Sequence, residues 1–365
     1  MILTINVGKT SVKCKLFNGE KMVKGGAVDR IGYGSVLNHI HAWEKLYQGL
    51  SVDASEVHSI AYKLPFSVGK FSKVTKLDKK IIDELKDYGK KIPFFDFASF
   101  DVMETVIPIF PRATHFAVFD DCFFGDLNRV AKIYPLSEEV VSKYDFKKLG
   151  RHGISHEHSI EKAQLDLGLI RTQRTISVHL GTTCSIAAVL EGRCVDHSGG
   201  FSPMVGLMGM TDTGDIDGGL IFYMLKNGAD ISEVEKILQN ESGVKGVSNL
   251  SEDMRDVLYI GGFKVDDEKY IPASNMPKKE NYIDNARLSI ELFTDRVVKY
   301  IGAYAAILGG IDTLIFTGAI GSKSAEIRNL ILNNLSFIKD FEVLVVEPDE
   351  ETQMRVMVEN FLNSK

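Results

Sequence analysis

The strongest constraint on what this chain can fold into is an echo within it. The segment ILTINVGKTSVKCKLFNGE at residues 2–20 resembles TISVHLGTTCSIAAVLEGR at 175–193. Gly8 and Gly181, Thr10 and Thr183, and Gly19 and Gly192 superpose at one constant offset of 173 residues. Each copy reads as an apolar strand, a Gly/Ser/Thr turn, a second strand, and a turn closed by glycine. Two hairpins matching by chance is the alternative; two similar α/β domains with a hairpin at the same place is the better reading. Such a tip suits phosphate, because glycine lets the backbone approach while main-chain N–H groups and hydroxyls converge on an anion. Two tips would clasp a polyphosphate from both sides, across a cleft between the domains.

A length of 365 residues fits about two domains of roughly 150 each. Lys+Arg 43 against Asp+Glu 49 gives a net charge of −6, which argues against generic nucleic-acid binding. Cys14, Cys122, Cys184 and Cys194 are scattered without a CxxC pair. They read as small buried apolar residues in a reducing compartment. The start, MILTIN, is strand-like and lacks the pattern of a signal peptide. The apolar stretch around 300–321 is broken by Asp312 and several glycines, unlike a membrane span. A cytoplasmic location without membrane partners is the expectation.

Between the hairpins, Asp78–Lys90 reads as an amphipathic helix, and 115–124 as a buried strand ending in acids. Ser232 with Glu235 fits a capping box opening a helix to Leu238. Ile290, Phe293, Val297, Ile301, Tyr304 and Leu308 recur at spacings of three and four, which predicts a long helix over 286–308. The strand TLIFT (313–317) comes next, then a glycine loop Gly318–Gly321 and a helix from about Ser324. A glycine loop between a strand and a helix N-terminus favours an anion or a nucleotide, although many αβ connections share the pattern.

Asp120 ends an apolar strand, where a carboxylate often faces a cleft or holds Mg²⁺ through water; a solvated loop acid is the alternative. Asp212, Asp215 and Asp217 lie in a glycine-bearing turn that reads equally as a polar surface turn or a cation site. In the segment 150–156, His152 can donate to a developing negative charge and Arg151 can hold phosphate or carboxylate. His158 lies nearby, but no carboxylate or Cys stands at ligand spacing. His179 closes a strand beside Gly181, as a phosphate-loop residue or a satisfied core histidine. Lys9 and Lys13 flank the first tip. No GxxxxGKS/T, GxSxG or HExxH element occurs, which argues against P-loop, α/β-hydrolase and zincin chemistry.

These residues resemble the acetate kinase family, of the acetate and sugar kinase/heat-shock ATPase/actin superfamily. The matching pieces are NVGKTSVK (6–13), FAVFDDCFF (116–124), KLGRHGISH (148–156), HLGTTCSIAAV (179–189) and VDHSGGFSPMVGLMGMTDTGDID (195–217). SGVKGVSNLSEDMRDV (242–257), KYIGAYAAILGGIDTLIFTGAIG (299–321) and EPDEET (347–352) complete the series. They occur in family order over nearly the whole chain. The resemblance implies an α/β fold of two ribonuclease-H-like, actin-like ATPase domains around a central cleft. It also implies a homodimer, and transfer of the ATP γ-phosphoryl group to a short carboxylate with Mg²⁺ (or Mn²⁺). The domains would be 1–150 plus 350–365, and 151–349, the second carrying the nucleotide site and dimer interface.

Carried onto this sequence, the resemblance puts Asn6, Ser11 and Lys13 in the first phosphate and metal loop. Asp120 becomes the catalytic, metal-organising aspartate and Glu350 a second metal-site carboxylate. His152 stabilises the transferring phosphoryl group, and His179, Gly181 and Thr182 fall in the second phosphate loop. Asp253 and Arg255 match a nucleotide-side DMRD element, with Gly318 and Gly321 in the adenosine loop.

Several family residues are replaced. The arginine of a GHRVVHGG-type motif is Lys63 here, and that of TRSGDID is Asp212. Lysine keeps charge but loses the bidentate fork, whereas aspartate reverses the sign. Losing one such clamp costs an in-line phosphoryl transfer on the order of 3–5 kcal/mol. Arg151 replaces an aromatic near the acyl pocket and offers, with Lys63, a substitute clamp. Thr182 replaces asparagine, GIGEN ends as Ile320-Gly-Ser-Lys323, and LHNP becomes Phe94-Phe-Asp-Phe97. Two alternatives therefore stand beside an acetate kinase-like activity: a regulatory nucleotide-binding member, and a kinase for a different acid or phosphoryl donor.

Overall fold

A computed structural model describes residues 1–32, 35–93, 95–202, 204–272 and 280–364; Phe94 of the altered LHNP segment lies outside the described residues. Two compact units are formed, Met1–Gly125 with Asp349–Lys365, and Asp126–Pro348. Residues 126–150, grouped with the first domain by the sequence reading, pack within the second unit. Leu149 N donates to Gly200 O at 2.9 Å and the Lys148 ammonium lies 2.9 Å from Asp196.

The first unit is a six-stranded sheet of β1 (Ile2–Gly8), β2 (Ser11–Asn18), β3 (Lys21–Asp29), β4 (Ser59–Leu64), β5 (Val74–Lys76) and β6 (Thr114–Phe119), in the order β3-β2-β1-β4-β6-β5. The second is a five-stranded sheet of β7 (Arg174–Leu180), β8 (Cys184–Leu190), β9 (Arg193–His197), β10 (Thr313–Thr317) and β11 (Glu342–Val345), in the order β11-β10-β7-β8-β9. Each holds an antiparallel three-stranded meander whose first strand pairs in parallel with a later strand, itself parallel to the next. The echo is thus a duplicated topology. The tips differ by one residue: Gly8 pairs with Ser11 across a two-residue turn, whereas Leu180 pairs with Cys184 across three.

Local chemistry sets the remaining elements. Asp78 caps the predicted amphipathic helix, accepting from Ile81 N at 2.8 Å, and the helix spans Lys79–Gly89. The long helix runs Glu280–Leu308 and buries the whole predicted stripe, burial that supplies most of a helix's stability. Two local readings are corrected. The cap of helix Ile231–Asn240 is Asp230, accepting from Glu233 N at 2.8 Å, with Ser232 already inside the first turn. The glycine loop after β10 is a short helix, Gly318–Lys323. Gly318 turns the chain directly off the strand at φ 80°, and a Cβ there would lie 2.4 Å from Leu180 O.

All four cysteines are free. Burial raises their thiols, Cys14 and Cys122 to about 11, consistent with inert apolar fillers. Among the described residues, no helix is long and apolar enough to cross a membrane.

His197 ends β9 almost wholly buried, its Nδ1 accepting from Gly199 N at 3.0 Å. Burial first, then Lys148, lowers its pKa from an ordinary 6.5 to about 3. The unfolded chain therefore takes up a proton that the folded chain refuses. Stability from His197 is complete above pH 6.5 and is lost as pH falls toward 3, at about 1.4 kcal/mol per unit. Between pH 7 and pH 5, His197→Asn, which keeps an acceptor for Gly199, should lose about 2 kcal/mol less than the parent. Urea unfolding at the two pH values measures the difference; equal losses would refute it.

Candidate active site

In the first unit Asn6, Lys63 and Asp120 stand toward the carboxyl ends of parallel strands, the usual place for a site in such sheets. Asn6 lies one residue past the Ile5–Tyr62 pair of β1 and β4, and Lys63 follows Tyr62. Asp120 immediately follows β6, where a 3₁₀ turn Asp120–Phe124 begins. The helix Glu350–Asn363 brings its acidic first turn to the same place.

Asn6 Nδ2 donates to Glu350 Oε2 at 2.7 Å and to Glu351 Oε1 at 2.8 Å. The Lys63 ammonium lies 2.5 Å from Glu350 Oε1 and 3.7 Å from Asp120 Oδ2. Burial opposes its charge, but Asp120, Glu350 and Glu351 outweigh burial and hold its pKa above the ordinary lysine value. Burial, then Glu350, raises the Glu351 carboxyl, with Lys13 acting against it from β2. Lys13 stands opposite Asn6 in the β1–β2 register, and Ser11 closes the tip beside Gly8. Burial also pushes Asp121 up to about 6 against two hydrogen bonds from Ser67, at 2.7 Å from N and 3.0 Å from Oγ.

In the second unit several segments meet at the tip between β7 and β8. His152 precedes helix Gly153–Leu167 at φ 58°, and its Nε2 lies 3.0 Å from Thr183 Oγ1. Its ring stacks on His179 with centroids 4.0 Å apart and planes 9° apart. Thr182 O accepts from Met210 N at 2.9 Å, joining the tip to the turn that holds Asp212. Gly318 and Gly321 pack against Leu180, one residue before Gly181.

The acidic turn is neither a polar surface turn nor a ring of free carboxylates. Asp212 is 3% exposed, and its carboxylate fills the space where a Cβ on Gly209 would lie. Asp215 accepts from Tyr300 Oη at 2.6 Å and Gly206 N at 2.8 Å, while Asp217 caps helix Gly218–Lys226. Asp212 raises the buried Cys184 thiol and Arg151 lowers it, both after burial itself. Asp212 and Arg151 therefore act on one neighbourhood with opposite signs.

Asp253 and Arg255 bind each other. Asp253 caps helix Met254–Gly261 and accepts from Arg255 Nε at 2.9 Å and Nη2 at 2.6 Å. Arg255 also reaches Asp267 at 2.7 Å and lies over the Tyr270 ring. Through these pairs its charge is held firmly, led by the hydrogen bond to Asp253.

Sequence reasoning did not single out Glu351, Asp121 and a buried set of Ser155, His156, Ser177 and Ser185. The signal was present: His152, Ser155 and His156 stand at i, i+3 and i+4, and Ser177 alternates with His179 on β7. Helical and strand periods therefore place polar residues on faces that the core covers.

The sequence model of the acetokinase family matches residues 1–360. The acetate kinase of Clostridium novyi (strain NT) is 31% identical, over 92% of this chain and 86% of that protein. The crystal structure of Porphyromonas gingivalis acetate kinase superposes with a TM-score of 0.81 at 25% identity, covering 99% of both chains. A propionate kinase from Francisella tularensis gives 0.82 at 25% identity, covering 97% of each.

Replacing Lys63 by Met would remove a cation from beside buried Asp120 and Glu350, which costs about 3–5 kcal/mol. Lys63→Arg keeps the charge and should cost less than half of that. Chemical unfolding of both variants tests the charge argument; equal losses would assign the effect to packing instead.

Proposed function

The chain belongs to the acetokinase family, phosphotransferases that act on a carboxyl group, and we propose that it transfers the ATP γ-phosphoryl group reversibly to acetate or another short carboxylate. Its fold is the family's pair of actin-like ATPase domains. The observation that carries the reading is the buried Asn6–Lys63–Asp120–Glu350 set at the carboxyl ends of β1, β4 and β6.

The reaction explains why such a set suffices. A carboxylate is already an anion at neutral pH, so its oxygen attacks the γ-phosphorus without losing a proton. The bond to the β-phosphate oxygen breaks, giving acyl phosphate and ADP with charge conserved. Catalysis is then positioning and charge neutralisation, with no general base. Asp120 and Glu350 offer the hard carboxylate oxygens that Mg²⁺ takes. Yet Lys63 lies within ion-pair reach of both, and among the described residues no three His, Cys, Asp or Glu side chains are grouped to hold a metal directly. Asp120 and Glu350, with the Asn6 amide beside them, would hold the Mg²⁺ that accompanies the nucleotide. Bound there, the ion would neutralise phosphate charge.

The chain's own residues do the rest. His152 donates to the transferring phosphoryl oxygens. Lys63 supplies cationic charge where the resemblance places an arginine, and Arg151, where it places an aromatic, adds a second cation close to Cys184 and Asp212. Ser11, Lys13, His179, Gly181 and Thr182 contact phosphates, while Asp253, Arg255, Gly318 and Gly321 shape the adenosine side. Family membership favours this activity over nucleotide binding alone. The working setting is the cytoplasm, where ATP is at hand.

A homodimer completes the proposal. None of helix Gly218–Lys226 is buried, and it exposes Leu220, Phe222 and Tyr223, the last two by 66% and 67%. An apolar patch of this kind marks an interaction site, and a second copy is the occupant proposed. Sedimentation should show a dimer for the parent and a monomer for the double variant Phe222→Glu, Tyr223→Glu; a parent monomer would refute it.

The function is tested by trapping acyl phosphate with hydroxylamine, using ATP, Mg²⁺ and a panel of short mono- and dicarboxylates, with pyrophosphate as an alternative donor. Turnover with at least one acid is expected, falling about 10²–10⁴-fold in Asp120→Asn. Silence across the panel, with nucleotide binding intact by calorimetry, would overturn the catalytic reading. Full activity in Asp120→Asn would overturn the role given to that residue.

A further inference from the structure

Five side chains form one unbroken hydrogen-bonded line through the second unit. Ser177 Oγ lies 2.8 Å from His156 Nδ1, and His156 Nε2 lies 2.8 Å from Ser185 Oγ. Ser185 Oγ lies 2.8 Å from His152 Nδ1, and His152 Nε2 lies 3.0 Å from Thr183 Oγ1. Ser177, His156 and Ser185 are at most 2% exposed, so water does not complete their bonding.

The direction of the line is set at its buried end. A serine hydroxyl carries one proton, and leaving that proton unmet in the interior is costly. The ring nitrogen His156 Nδ1 faces Ser177 Oγ, so Ser177 donates to it. His156 therefore carries its own proton on Nε2 and donates to Ser185. Ser185 then directs its single proton to one of two acceptors, His152 Nδ1 at 2.8 Å or Arg151 O at 3.4 Å. The shorter contact takes it. His152 Nδ1 is thereby an acceptor, and its N–H is left on Nε2, the atom beside Thr183 at the hairpin tip. The parallel stack on His179 at 4.0 Å also disfavours charge on both rings at once, since two imidazolium rings at that spacing repel.

We infer that His156 is a positioning residue for His152: acting through Ser185, it fixes His152 as the neutral tautomer whose Nε2–H points to the tip where phosphate is bound. Ser177 anchors the line. This deepens the proposed function, because it makes His152 a neutral hydrogen-bond donor to the phosphoryl group, held in place before any substrate arrives. The principle is the one by which a buried acceptor selects the working tautomer of a catalytic imidazole in other enzymes.

The test reads the rings directly, by imidazole nitrogen NMR of ¹⁵N-histidine-labelled full-length protein without substrate, so it stands or falls whether or not acyl phosphate is formed. In the parent, both His152 and His156 should be neutral with the proton on Nε2 and a hydrogen-bonded, unprotonated Nδ1. Ser185→Ala removes one oxygen, and the His152 Nδ1 signal should lose its hydrogen-bonded position. A proton on His152 Nδ1 in the parent, or an unmoved Nδ1 signal in Ser185→Ala, would overturn the inference. For an acid that the parent uses, His156→Phe should lower kcat about 10- to 100-fold with KM changed less than about threefold. His156→Gln, whose amide can still donate to Ser185, should recover most of the loss. Equal loss in both variants would assign His156 to packing alone. Should His156→Phe not fold, Ser177→Ala replaces it, with the His156 Nδ1 signal as the readout and an unmoved signal as the refuting result.

Discussion

A buried amide ties the two ends of the chain together. Asn6, in the first strand, donates to both Glu350 and Glu351, 344 and 345 residues later. One side-chain nitrogen thereby holds two carboxylates that would otherwise repel, at a depth where each unpaired charge is expensive. The Lys63 ammonium supplies the compensating charge, and Asp120 shares it. Everything proposed for the first unit depends on this balance. Without the returning helix Glu350–Asn363, Lys63 would lose its shortest ion pair and Asn6 both of its acceptors. The unit is discontinuous in sequence for the same reason.

The second unit solves a different problem with the same topology. Where the first unit buries carboxylates and balances them with a lysine, the second buries neutral imidazoles and hydroxyls that satisfy one another in a line. The difference lies in the segments packed against each hairpin. Helix Gly153–Leu167 brings His152, Ser155 and His156 to a sheet whose strands offer Ser177, His179 and Ser185. Thr183, at the tip, ends the line with its hydroxyl. Buried ion pairing in the first unit and a neutral hydrogen-bonded line in the second are thus two different ways of satisfying polar groups around the same hairpin.

Much of this was legible in the sequence where a short-range rule governs. The echo gave the duplicated meander because strand, turn and strand are local signals. The stripe from Ile290 to Leu308 gave its helix because one helical face needs only its own periodicity. What was not legible required knowing which distant segments meet. Ser232 and Asp230 both suit a cap, and only the position of the first helical turn decides between them. Glu351 beside Glu350 reads as one more acid until the helix docks and Asn6 divides its protons between the two. Ser177 and Ser185 are ordinary strand serines until β7 and β8 bring them against His156. Buried polar networks are long-range objects, and one sequence carries them only as unexplained polar residues on apolar faces.

The two positions where the resemblance places arginines differ in kind. Lys63 keeps the sign of the residue it replaces and answers to Glu350 and Asp120, so what is lost is the planar fork and not the cation. Asp212 is folded into the Gly209–Asp212 turn, where its carboxylate takes up room that only a glycine at 209 leaves free. Such a residue is part of how the turn is built. Simple reversion to arginine would need both space and a new path for the charge. Arg151 acts on the same Cys184 thiol as Asp212, with the opposite sign and from another element.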